Sequence, residues 1–259
     1  QHKMSKVIHN PALANIDEQS STSASFVIEP LHAGYGNTLG NSLRRVLLSS
    51  IRGGAIVAFR IEGASHEFTT VKGVKEDVVD IMLNLKSVRV KISTDQPVEL
   101  RLEKKGAGVI TAGDIKTTAD VEIVNPEQVI ATIDDPKVSF VMDLVVDSGR
   151  GYRTMEESSV SRLHSDMIAL DAIFSPVLRV RYKVDSTRVG QETNLDKLTI
   201  NVETDGSMTP QEAFEEAAAI LVNQYTALAG STVAPAAPAL GQDVEEESNE
   251  LNTTIEELN

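Results

Sequence analysis

A chain of 259 residues with 41% hydrophobic content is long enough for one large core or two modest ones. A net charge of −14, no Trp and few aromatics exclude nucleic-acid binding by phosphate neutralisation or base stacking alone. Without cysteine there is no disulfide, thiolate metal site or thiol nucleophile, and no apolar run reaches the roughly 18 residues of a membrane span, so a cytoplasmic protein is expected.

In chain order, residues 25–29 read as a strand, followed by a glycine-rich turn and an amphipathic helix over residues 34–52. On a wheel of about 100° per residue, Leu39, Leu43, Val46 and Leu47 form a core-facing stripe. The opposite side holds Asn41, Arg44, Arg45, Leu48 and Arg52, a leucine ringed by long cations, which suits a protein-docking surface as well as a single exposed leucine. Gly53 and Gly54 then break the helix ahead of a strand at 56–61. Val74, Val78, Ile81, Met82 and Leu85 have helical spacing, with Glu76, Asp77 and Asp80 facing away. Period-two runs at 88–92, 98–103, 121–124 and 138–146 make the middle strand-rich, and two more follow at 177–184 and 198–203.

The last helix has the clearest start. Thr209-Pro-Gln-Glu212 supplies an N-cap hydroxyl, proline at the first helical position and a glutamate three residues on, a capping box. From 210 to 229 the apolar arc includes Phe214, Ala217, Ala218, Leu221 and Tyr225, wider than one sheet can cover. Residues 231–259 contain no Lys or Arg and seven acids behind an Ala/Pro stretch, and read as a linker.

Catalytic and cofactor chemistry has little support. Gly34-x-Gly36-x-x-x-Gly40 departs from a dinucleotide loop in its third glycine and lacks the Gly-Lys-Ser/Thr of a phosphate loop. His2, His9, His32, His66 and His164 show no metal-ligand spacing, Asp77 and Asp80 suit a solvated face, and there is no Gly-x-Ser-x-Gly elbow. No catalytic residue, cofactor or metal is expected.

Residues 34–50 resemble the signature helix of the bacterial RNA polymerase alpha subunit family, amino-terminal domain. The likeness extends through Phe26-Val-Ile-Glu-Pro-Leu31, residues 73–86, Gly149-Arg-Gly-Tyr152, Asp171-Ala-Ile-Phe-Ser-Pro-Val177, Arg188-Val-Gly-Gln191, Asp196-Lys-Leu198 and residues 204–218. The resemblance implies an α+β fold: a dimerisation domain of mixed sheet with two long helices, residues 1–52 and 178–230, interrupted by an inserted strand-rich domain, residues 53–177. It implies a homodimer interface of Leu39, Leu43, Val46, Leu47, Phe214, Ala217, Ala218, Leu221 and Tyr225. The beta subunit would dock on Asn41, Arg44, Arg45, Leu48 and Arg52, and beta-prime at Lys86 and Asp171. Magnesium would reside on those large subunits, and DNA contact in a carboxy-terminal domain whose opening the last residues resemble. Around 155–169 the sequence departs from the family pattern, which weakens the beta-prime assignment. The competing readings are an autonomous enzyme holding a phosphorylated ligand at Gly34–Gly40 and a structural dimer without large partners.

Overall fold

The computed structural model describes residues 10–161 and 164–232, so His2, His9 and almost all of the expected linker lie outside the described residues. The chain opens with a hairpin, β1 (Leu13–Ser20) and β2 (Ser23–Leu31), then α1 (Tyr35–Ser49) and β3 (Arg52–Ile61). Next come α2 (Val78–Lys86), β4 (Val90–Ile92), β5 (Val98–Lys105), β6 (Gly108–Thr111), β7 (Ile115–Lys116), β8 (Val121–Ile123), β9 (Val129–Ile133) and β10 (Ser139–Arg150). After β11 (Tyr152–Arg153), α3 (Met155–Ser161), β12 (Ile168–Ala169) and β13 (Ala172–Ile173), the chain closes with β14 (Val177–Val189), β15 (Glu192–Thr204) and α4 (Pro210–Ala229).

The two ends of this order share one sheet. Its strands run β1-β2-β15-β14, all antiparallel, and α1 and α4 lie on one face. Alternation decides which face: Ala24, Phe26, Ile28, Leu198, Ile200 and Val202 point to the helices and are buried. The middle of the chain builds a second antiparallel sheet, β7-β5-β10-β3-β4-β8, with β12 added to β3. Its core joins Phe59, Leu102, Met142 and Leu144 to Val78, Ile81 and Leu85 of α2.

Three expectations need correction, and one strand carries no sequence signal. Helix α1 ends at Ser49, so Arg52 begins β3 and does not continue the helical face. At Gly53 the new strand passes so close to Phe174 that a Cβ would overlap its carbonyl oxygen, and only glycine fits there. Helix α2 begins at Val78, and Asp77 is its N-cap, accepting from the Asp80 amide at 2.8 Å. Glu76 turns inward, accepting from the Thr132 amide at 2.7 Å. Finally, β1 carries mainly exposed residues with only Ile16 packed on the core, so no period-two pattern announced it.

The expected capping box is present. The Thr209 hydroxyl accepts from the Glu212 amide at 3.2 Å, and the Glu212 carboxylate accepts from the Thr209 amide at 2.9 Å. That backbone donor holds the Glu212 carboxyl below the usual glutamate range. A depressed folded-state value means the contribution is full above about pH 4.3, the unfolded value, and fades as pH falls through the folded one. Thr209→Ala is expected to lower stability by about 1 kcal/mol in urea titration. The stability gap between the native chain and Glu212→Gln should narrow below about pH 4.

Candidate interaction surfaces

Helix α1 presents three sides. Gly36, Gly40, Leu43 and Leu47 are buried against the sheet, and the glycines permit the approach. A Cβ on Gly36 would lie 2.6 Å from Val184 Cγ1, and one on Gly40 2.7 Å from the Tyr182 ring. Leu39 and Val46 are half-buried on the flank shared with α4. Asn41, Arg44, Arg45 and Leu48 are exposed on the outer side, Leu48 at 36%. Helix α1 contains no acidic residue, and neither guanidinium group has an ion-pair or hydrogen-bond partner among the described residues. An apolar Leu48 beside two unpaired guanidinium groups has the composition of an interface centre.

Arg52 is occupied elsewhere. Its Nη2 donates to the Thr94 carbonyl at 2.8 Å and to Ser148 Oγ at 3.1 Å, and it pairs with Asp95. These contacts tie β3 to β10 and the loop after β4. The outer face of α1 therefore consists of Asn41, Arg44, Arg45 and Leu48.

The nine residues expected at a dimer contact divide into two sets. Leu43, Leu47 and Ala217 are buried in the protomer's own core, so they support the helices and cannot meet a second chain directly. Leu39, Val46, Phe214, Ala218 and Leu221 are half-buried, and Tyr225 is 59% exposed. Phe214 stacks on Phe26 with ring centroids 4.4 Å apart, which anchors the start of α4. Beyond Leu221 every residue of α4 is exposed, Val222 and Leu228 included, the latter at 84%. Two turns of apolar-faced helix thus overhang the sheet.

Lys86 and Asp171, 85 positions apart, meet in an ion pair of 3.2 Å. The same carboxylate accepts from the Met155 amide at 2.9 Å. The pair borders a recess of about 100 Å³ lined by Leu85, Arg89, Tyr152 and Ile173, with Tyr152 and Ile173 largely exposed.

The phosphate-loop reading fails on geometry. The amides of Gly34 and Gly36 both donate to Asp196 Oδ2, at 2.9 and 3.0 Å. A carboxylate of the same chain thus occupies the donors that a phosphate would need, and its charge repels an anion. A surface depression of about 500 Å³ is lined by mutually paired charges: Arg60 reaches Asp143 at 2.6 Å and Asp166 at 3.0 Å. Donating to Asp143, and next to Asp166, raises the Arg60 pKa; the hydrogen bond accepted from Arg60 holds the Asp166 carboxyl below the usual range. Among the described residues no cluster of three His, Cys, Asp or Glu could hold a metal ion, and no helix is long and apolar enough to cross a membrane.

Open helix faces, unpaired cations and depressions filled by internal ion pairs define an assembly scaffold, a subunit that works through the surfaces it offers to other chains. Residues 57–175 match the RNA polymerase Rpb3/RpoA insert domain. The chain is 47% identical to the DNA-directed RNA polymerase subunit alpha of Moorella thermoacetica, covering 90% of this chain and 75% of that protein. It is 46% identical to the namesake subunit of Desulfitobacterium hafniense (97% and 80% covered) and 43% identical to that of Rhodopirellula baltica (96% and 77%). The chain belongs to the family of bacterial DNA-directed RNA polymerase alpha subunits.

Since Asp196 already fills the start of α1, inorganic phosphate and nucleoside triphosphates at millimolar concentration should leave the melting temperature within about 1 °C. A saturable rise of several degrees would restore the ligand-binding reading.

Proposed function

We propose that this chain homodimerises and then recruits the beta and beta-prime subunits, building the frame on which a bacterial RNA polymerase assembles in the cytoplasm. The supporting observation is that α1 and α4 leave an apolar flank open on one side while α1 holds Arg44, Arg45 and Leu48 unpartnered on the other. Leu39, Val46, Phe214, Ala218, Leu221 and Tyr225 meet their copies across a twofold axis, so four helices close one core. The dimerisation domain comprises residues 1–52 and 178–230, with residues 53–177 inserted and residues 231–259 as a linker. Beta docks on Asn41, Arg44, Arg45 and Leu48, and beta-prime at the Lys86–Asp171 recess. The chain contributes no catalytic group; the catalytic magnesium sits on the large subunits.

The three surfaces are separable by mutation. Leu221→Asp places a carboxylate in the dimer contact, and sedimentation should show loss of the dimer at micromolar concentration. Arg45→Ala should remain a dimer yet lose beta in a purified-component pull-down by tenfold or more, about 1.4 kcal/mol or above. A variant that captures beta normally overturns the assignment of that face. Lys86→Ala should cost under about 1 kcal/mol of stability, because both members of the pair are about one-third exposed, while weakening beta-prime capture by the alpha–beta complex.

A further inference from the structure

Helix α1 begins without the usual devices. Gly34, at φ 89°, has no side chain to cap with, and the first turn contains no acidic residue. The carboxylate that serves this end comes from Asp196 in β15, 160 positions from Gly36, and a single oxygen accepts both the Gly34 and Gly36 amides. The same residue is held by backbone register, since Asp196 pairs with Leu31 at the end of β2. The chain therefore leaves Asp196 at Leu31, turns through His32 and Ala33 and returns to its side chain at Gly34. A Cβ on Gly36 would fall 2.9 Å from that carboxylate oxygen, so glycine is what lets the helix end settle on it. At the other end, Arg150 of β10 donates through Nε to the Ser50 carbonyl at 3.0 Å. One rigid helix is thus fixed at its two ends by different sheets.

We infer that Asp196 is a positioning residue for beta recruitment: it sets the axial and rotational register of α1 and so the placement of Arg44, Arg45 and Leu48, which it does not touch. This rests on the reading that the outer face of α1 receives beta. A helix released at its start can slide or fray by a turn, and a long side chain displaced by an ångström or more loses a docked geometry while the protomer core persists. Asp196 is then needed by the docking face more than by the fold.

The test compares Asp196→Ala and Asp196→Asn with Asn125→Ala as a control for general loosening. Asn125 clamps the inserted sheet in a comparable way, accepting from the Arg89 amide at 2.7 Å and donating to the Ser87 carbonyl at 2.9 Å. Three quantities are read on the purified dimer: sedimentation, amide hydrogen exchange over residues 34–39, and affinity for purified beta. Asp196→Ala should remain a dimer, exchange faster over 34–39 and bind beta about five- to tenfold more weakly, the scale of a lost cap. Asp196→Asn keeps an acceptor oxygen and should recover most of that affinity, whereas Asn125→Ala should bind as the native chain does. Native affinity in a dimeric Asp196→Ala overturns the proposal, as does equal weakening by Asn125→Ala. Failure of Asp196→Ala to fold overturns the proposal too, because it requires that the protomer core persist without the carboxylate; so does an Asp196→Asn dimer with native affinity and fast exchange over 34–39. Arg45→Ala in parallel separates the two readings. Normal binding by Arg45→Ala removes the recruitment reading and the purpose assigned here to Asp196, whereas weak binding by Arg45→Ala with native Asp196→Ala removes the positioning role alone.

Discussion

Everything about this chain's surfaces depends on how closely α1 lies on its sheet. At positions 36 and 40 the separation is too small for any side chain, because Val184, Tyr182 and Leu198 fill the space a Cβ would take. A glycine in mid-helix costs up to about 1 kcal/mol relative to alanine, so two of them are a real expense in helix stability. The return is geometric. With the helix pressed down on its glycine side, Leu43 and Leu47 bury fully, each contributing about 1.5–3 kcal/mol, and the remaining positions are forced outward. Leu39 and Val46 emerge on one flank, and Arg44, Arg45 and Leu48 on the far side. A helix standing higher on the sheet would rotate more freely and would present no defined outer face.

The second constraint is the joint around Phe174, where the chain passes from β13 to β14, the first strand of its return to the terminal sheet. Gly149 lies under its ring, Gly53 passes its carbonyl, and the Arg153 guanidinium covers it 4.6 Å from the centroid. Arg153 is itself bound to Asp147 at 2.7 Å, a carboxylate only 10% exposed. Removing either member would leave a charge with little solvent, the costly situation for a buried pair, whereas the intact pair with its aromatic neighbour is satisfied. Because Gly53 follows Arg52 and Gly149 precedes Arg150, this joint lies immediately beyond the end of α1. Packing at Phe174 and the seating of α1 are therefore parts of one structure.

Local signals survived translation into structure, and long-range ones did not. The Thr209–Glu212 box is complete within four residues, and it marks the start of α4 in the sequence as it does in space. Strongly alternating runs such as 98–103 and 198–203 became β5 and β15 for the same reason. The helical wheel continues through Arg52, three residues past the observed end of α1, while the Phe174 backbone that Gly53 passes comes from more than a hundred residues away. Glu76 has the spacing of a solvated helical acid, but its partner Thr132 lies on β9, a strand with no sequence expectation attached. Asp196 belonged to a family-like stretch without any visible task, since nothing in the sequence tells that its carboxylate faces two amides 160 positions earlier. Lys86 and Asp171 carry no local signal of their ion pair; the family resemblance groups them only as beta-prime contacts.

The two ends of α4 obey different physics, which bears on why the protein should exist as a pair. Pro210, Ala213 and Ala217 seat the first turns on the sheet, and the capping box fixes their start. From Val222 to Ala229 every residue is exposed among the described residues, although Val222, Tyr225 and Leu228 are apolar. Helices shorter than about 12 residues are marginal in water, and an overhang of two turns relies on the seated part for nucleation. Exposed apolar side chains on such an overhang gain nothing from the helical state unless something covers them. In the proposed dimer a second α4 does so, and the helical order of the overhang becomes dependent on protomer concentration, as linkage requires when folding and association share one surface.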